Sequence, residues 1–200
     1  LFAFANLFVQ SSVNSFDHVL VEGNSAAANA DPLVYDMMAA FYTACSSFIA
    51  QNFGARKKKR ILQTYLICLF YSFITSLVLG VGIYLARYPF LYLFTSDKAV
   101  VEAGITRLSI MALSYSASAF MDASIAASRG LGKTAVPTFV VVMGSCVFRI
   151  IWIYTIFAYF HTIQSLYILY VFSWGITAIA ENIYFFHVYR HTLTEKKELC

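Results

Sequence analysis

Long apolar runs joined by short polar junctions dominate the chain, and they predict six membrane helices. The runs cover about 1–30, 33–53, 61–86, 98–128, 135–160 and 168–189, and a polar tail follows at 191–200. Runs of about 20 apolar residues or more suit the ~30 Å hydrocarbon core of a bilayer at ~1.5 Å per helical residue. In hydrocarbon every backbone N–H and C=O must be paired, which leaves helices or closed barrels, and barrel strands of roughly ten residues are too short for these runs. Asp31-Pro32 reads as the turn that ends the first run and starts the second. Gly54 closes the second run before a basic junction, and Arg87-Tyr88-Pro89 follows the third. Ser96 or Asp97 can cap the fourth, and Thr134 with Pro137 opens the fifth. The predicted class is an all-α membrane protein, a six-transmembrane-helix bundle.

Charge orients the bundle. Lys and Arg crowd into alternate junctions: Arg56-Lys57-Lys58-Lys59-Arg60, then Arg129 and Lys133, then Arg190, Lys196 and Lys197 in the tail. The opposite junctions hold only Arg87 and Lys98, which makes ten cations against two. Cytoplasmic loops carry such an excess. The expected setting is the plasma (inner) membrane, multi-pass, with the C-terminus cytoplasmic. The chain opens at Leu1 already in apolar sequence, so a missing N-terminal portion is expected.

Composition narrows the class further. With 60% hydrophobic and 12% charged residues, the chain is far from a soluble domain, where roughly a quarter of residues are charged. The net charge of +4 comes from loop cations that set topology and meet lipid headgroups, so it does not indicate a nucleic-acid partner. Cys45, Cys68, Cys146 and Cys200 form no C-x-x-C pair. They read as small core residues, not disulfides or metal ligands.

Besides Glu102 in the amphipathic first turns of the fourth run, five carboxylates lie within the runs: Asp17, Glu22, Asp36, Asp122 and Glu181. A charged residue at the centre of a span costs about 2.5–3.5 kcal/mol on insertion scales, so it normally faces a bundle interior or a wet cavity. Asp36, near an outer end, suits structural pairing or interfacial exposure. If the first run is one helix, Gln10, Asn14 and Asp17 follow one face, with His18 and Glu22 on its flank. Asp17 then sits roughly 20 Å from the outer end, close to mid-membrane. Arg149 in the fifth run lies at a similar depth, so an Asp17–Arg149 ion pair is sterically reasonable. Asp122 has uncharged helical neighbours in Ser118, Ala119, Ile125 and Ala126. Such a carboxyl can pass between charged and neutral forms, as proton or cation coupling requires. Glu181, beside Asn182, is a secondary candidate.

Other chemistries find little support. Arg129-Gly130-Leu131-Gly132-Lys133-Thr134 looks like a phosphate-binding loop, but position 127 is Ala where that pattern needs Gly, and no strand precedes it. Neither H-E-x-x-H nor G-x-S-x-G occurs, which argues against an intramembrane hydrolase.

Two stretches resemble the multidrug and toxic compound extrusion (MATE) family of efflux transporters. One is Ser47-Phe48-Ile49-Ala50-Gln51-Asn52-Phe53-Gly54-Ala55 with the basic run after it. The other is Met121-Asp122, then Arg129-Gly130-Leu131-Gly132-Lys133-Thr134 with Pro137, followed by Phe148-Arg149-Ile150 and Trp152-Ile153-Tyr154. Their order and spacing match the family's C-terminal half over nearly the whole chain. The resemblance implies one lobe of a twelve-helix MATE-type transporter, with an N-terminal six-helix lobe missing. It implies a secondary active antiporter that exports cationic amphiphilic drugs in exchange for protons or sodium ions by alternating access. Carried over by position, the coupling or binding groups are Asp17 or Glu22 on the first run and Asp122 on the fourth, with Asn14 and Gln10 as helpers. The sequence departs from many relatives, which resemble one another in having Gly at the Asp17 position and a small apolar residue at the Glu22 position. No cofactor and no metal is implied beyond possible Na+ at the carboxylates. The alternatives are a lipid-linked oligosaccharide flippase of the wider superfamily, an intramembrane enzyme, and an accessory membrane subunit.

Overall fold

The computed structural model describes residues 2–192, with side chains from residue 5 onward. Most of the tail assigned to 191–200, with Lys196, Lys197 and Cys200, lies outside the described residues. The helices are α1 (Phe2–Val13), α2 (His18–Ala28), α3 (Ala30–Gly54), α4 (Lys58–Leu85), a short α5 (Arg87–Tyr92), α6 (Lys98–Gly130), α7 (Ala135–Phe160) and α8 (Ile163–His191). Five units are long and apolar enough to cross a membrane: α2 with α3, then α4, α6, α7 and α8. α1 packs against α7 and α8 as the sixth member of the bundle.

The first boundary differs from the sequence expectation. The chain breaks at 14–17, not at Asp31-Pro32. Asp17 takes extended backbone angles, and its carboxylate accepts a hydrogen bond from the Leu20 N–H at 2.9 Å, an N-cap for α2. Phe16 holds the turn against Phe157 and His161, with ring centroids 6.0 and 5.8 Å away. Pro32 is only the third residue of α3, where its missing N–H deprives the Ala28 carbonyl of a partner and little else. The Asn29 amide donates to the carbonyls of Ser25 and Ala26 at 3.2 and 3.1 Å. With those groups satisfied, α2 runs into α3 with little more than one residue out of register.

α6 is the central helix and packs against α2, α3, α4 and α8. Its small residues let neighbouring backbones approach closely, as membrane helix contacts favour. A Cβ on Gly80 of α4 would overlap the carbonyl oxygen of Ala112, and one on Gly23 of α2 would lie 2.7 Å from the Cβ of Ala103. The α2–α3 unit advances alongside α6 in the same direction: Gly23 lies beside Gly104, Tyr35 beside Tyr115, and Gly130 against the carbonyl of Ser46. The outward side of α4 is apolar along its length, with Leu66, Phe70, Val78 and Leu85 all exposed. That surface suits acyl chains, where a soluble protein would bury it.

The basic junctions gather at one end of the bundle. The chain leaves α3 through Arg56, which has a left-handed backbone (φ 56°), and leaves α6 through Gly132 (φ 77°). Both helices close the same way. Lys57 N–H bonds Asn52 and Arg56 N–H bonds Phe53; Lys133 N–H bonds Ser128 and Gly132 N–H bonds Arg129. This is the Schellman pattern, which satisfies the last carbonyls of a helix.

α7 is irregular. It contains two π-helical segments, Val142–Val147 and Ile153–Phe157, with one α-helical turn, Phe148–Trp152, between them. Such wide turns occur often at functional sites. Here they flank Arg149.

Candidate substrate and ion site

Two neighbouring cavities, both open to the outside, lie between the helices. The larger, about 530 Å³, has aromatic walls of Tyr35, Tyr42, Tyr170 and Trp174, with Asp31, Asp36, Asp122, Arg149 and Asn6 also in its lining. The smaller, about 350 Å³, is lined by Gln10, Asn24, Ser25, Arg107 and Tyr167 among others. Asn6, Asp31 and Tyr170 belong to both.

Asp31 stands at the junction between them. Its Oδ2 accepts from Arg107 Nη2 at 2.5 Å, and its Oδ1 accepts from the Tyr115 hydroxyl. Arg107 also donates from Nη1 to Asn24 Oδ1 at 2.7 Å and lies over the Tyr167 ring. Its Nε has no hydrogen-bond partner among the described residues. The side chain is 8% exposed against 27% for Asp31, so the pair opens toward the cavity from the aspartate side. Sequence reasoning missed this carboxylate because it took Asp31 for a helix-start turn. The available signal was Arg107, a cation inside an apolar run that requires a partner.

Arg149 is arranged differently. Its Nη1 donates to Asn6 Oδ1 at 2.9 Å, its Nε donates to Ser173 Oγ at 3.4 Å, and the guanidinium lies 4.5 Å from the Tyr170 ring centroid. No carboxylate approaches it within ion-pair distance among the described residues. The expected Asp17–Arg149 pair is absent because the chain turns before Asp17, which places that residue at the bundle end opposite the basic junctions. Asp17 is exposed and occupied as an N-cap.

The helix break disperses the other first-run candidates. Glu22 lies on the exposed outer part of α2, 3.5 Å from His18. Asn14 sits in the turn and accepts a hydrogen bond from Gln10 at 2.9 Å. Gln10 alone of this group lines one of the two cavities, the smaller one. Asp122 lines the larger cavity, is half-buried, and has no hydrogen bond or ion pair among the described residues. Glu181 is fully buried in α8, with both carboxylate oxygens unpartnered among the described residues, and lies outside the lining of both cavities.

The fold and the site define a multi-span helical membrane protein that gathers charged side chains around aromatic-walled cavities. The MatE family model matches residues 1–155, and the chain belongs to that family. Its fold is similar to that of the Vibrio cholerae MATE transporter VcmN. A point-mutant form of VcmN aligns with a TM-score of 0.86 at 18% identity, over 96% of this chain and 44% of that one. Its bent form aligns at 0.84 and 18%, over 95% and 43%. A MOP superfamily transporter from Pyrococcus furiosus, whose reverse polarity of binding pocket suggests different function, aligns at 0.69 and 18%, over 96% and 41%. The chain thus spans less than half the length of these transporters. Among curated proteins, none matches the sequence.

Proposed function

We propose that the chain forms the C-terminal lobe of a secondary active antiporter that exports cationic amphiphilic compounds in exchange for protons or sodium ions by alternating access. The observation that carries this reading is Asp122: an intramembrane carboxylate, with no hydrogen bond or ion pair among the described residues, in a cavity walled by four aromatic rings. Aromatic faces attract organic cations, and a desolvated site strengthens that attraction. A carboxylate in the same cavity supplies the opposite charge. Neutralising it with a proton or covering it with a sodium ion removes the attraction and releases the cation. Asp36 and Asp31 add negative charge to the wall, although Arg107 already offsets Asp31. Gln10 is a hydrogen-bonding helper. Asp17, Glu22 and Asn14 act from the outer end if they act on substrate at all, and Glu181 is a separate buried acid. The basic junctions face the cytoplasm, in a plasma (inner) membrane, and the other lobe supplies the facing half of the cavity.

Arg149 supports a second reading, a flippase for a lipid-linked oligosaccharide carrying an anionic pyrophosphate. Among the described residues its guanidinium is bonded to the neutral oxygens of Asn6 and Ser173, and it lines the larger cavity. The three aspartates in the same lining weigh against it.

The deciding experiment uses the full-length transporter in sealed vesicles. A fluorescent organic cation is supplied, and its movement is followed under imposed pH or sodium gradients. Gradient-driven movement of the cation supports the antiporter. Movement of an anionic lipid-linked sugar with none of the cation favours the flippase.

A further inference from the structure

A third cavity, about 600 Å³, opens at the basic end of the bundle and shares no lining residue with the other two cavities. It is formed by the end of α3, the α6–α7 turn and the last turns of α8. We propose that this cavity binds the phosphate of an anionic lipid headgroup.

Three features of the lining point there. First, among the described residues its lining offers cationic and imidazole donors and no carboxylate: Lys133 comes from the turn, and His187 and His191 come from α8. The two imidazoles lie one helical turn apart with ring centroids 4.7 Å from each other, so both can donate N–H groups to one oxyanion. No third His, Cys, Asp or Glu joins them to hold a metal ion among the described residues. Second, the position is that of a headgroup. The cavity sits where three membrane helices end, among the chain's densest cations, and basic pockets between spans at the cytoplasmic side are known sites for anionic headgroups. Third, the remaining lining is mixed. Phe53, Leu131 and Val188 offer apolar surface beside the Tyr184 ring. A glycerol backbone and the start of an acyl chain cover such surface, whereas a free phosphate leaves it in contact with water.

Lys58 is engaged elsewhere. It donates to the Arg190 carbonyl at 2.9 Å and lies over the Tyr189 ring. The oxyanion contact therefore falls to Lys133 and the histidines.

The test is native mass spectrometry of the full chain in detergent, titrated with phosphatidylglycerol or with phosphatidylcholine. The proposal expects a retained phosphatidylglycerol adduct and a weaker phosphatidylcholine one. K133Q should weaken phosphatidylglycerol binding about fivefold, and K133Q with His187→Gln and His191→Gln further still. K59Q, an exposed cation of the neighbouring junction, should leave it unchanged. Lys133 is exposed, so its variant should keep the parent melting temperature and reads the site even if the triple variant fails to fold. Equal weakening by K59Q would show diffuse attraction to the basic end and overturn the proposal, as would unchanged binding in K133Q. Displacement of the lipid by millimolar inorganic phosphate would assign the site to a soluble anion instead.

Discussion

Arg107 of α6 and Asp31 of α3 meet at 2.5 Å in the bundle interior, and the aspartate's other oxygen is held by Tyr115 of α6. One carboxylate thus ties the start of α3 to two successive levels of the central helix. Asn24 extends the tie to α2. The contact also stands between the two cavities, so the residues that lock the helices together are part of the cavity wall.

Removing one member of this pair strands a buried charge. Asp31→Asn should lower stability by about 3 kcal/mol, the lower end of the range for broken buried pairs because Asp31 is a quarter exposed, and Arg107→Gln is the matching single. The double variant D31N/R107Q should recover part of the loss, since no charge is then left alone. Melting in detergent for the two singles and the double gives the coupling directly. Additive losses would mean that the two side chains do not support each other.

Asp122→Asn keeps the size and most of the polarity of the side chain and removes its charge. Asp122 has no ion pair to break among the described residues, so expression and melting should match the parent protein. Gradient-driven uptake of a fluorescent cation into vesicles should fall by about tenfold or more, the effect of losing roughly 1.4 kcal/mol or more of coupling. Undiminished uptake would remove Asp122 from the coupling machinery.

Asp17 offers a contrast between capping and transport. Asp17→Asn retains a good N-cap and should leave both melting and uptake near the parent values. Asp17→Ala loses the bond to the Leu20 N–H and should cost about 1 kcal/mol of stability. A loss of uptake in Asp17→Asn with unchanged melting would show that the exposed carboxylate has a transport role beyond its cap.

Gly80 tests the close packing of α4 on α6. A Cβ there would overlap the Ala112 carbonyl, so Gly80→Ala should destabilise by about 1–3 kcal/mol despite the better helix propensity of Ala. Gly82, two residues on, meets nothing within 4 Å. Gly82→Ala should therefore be neutral or slightly stabilising. The melting temperature should fall for Gly80→Ala and stay level or rise for Gly82→Ala.

Much of this was legible in the residues. The apolar runs after residue 58 coincide with α4, α6, α7 and α8 within a few positions, because length and hydropathy suffice to define a membrane helix. Asp122, which the sequence sets apart by its uncharged helical neighbours, lines the larger cavity, since a lone carboxylate on an otherwise apolar helix has few other places to point. The first two runs were misdivided. Asp31-Pro32 is the stronger turn signal in one dimension, yet Pro32 is only the third residue of α3, where it costs the helix a single hydrogen bond. The weaker Asn14–Asp17 stretch is the one that turns. That single shift removed Asp17 from mid-membrane and dissolved its expected pairing with Arg149.

By itself the sequence determined that the chain is a bundle of membrane helices, which ends carry the cations, and which family it belongs to. These follow from hydropathy, charge and local motifs, each a property of contiguous residues. Only the tertiary structure decided that Asp31 answers Arg107, that Asn6 and Ser173 answer Arg149, and that Asp122 lines the larger cavity. Those partnerships depend on the register between helices far apart in the chain, set by how closely Gly23, Gly80 and Gly130 let their backbones approach.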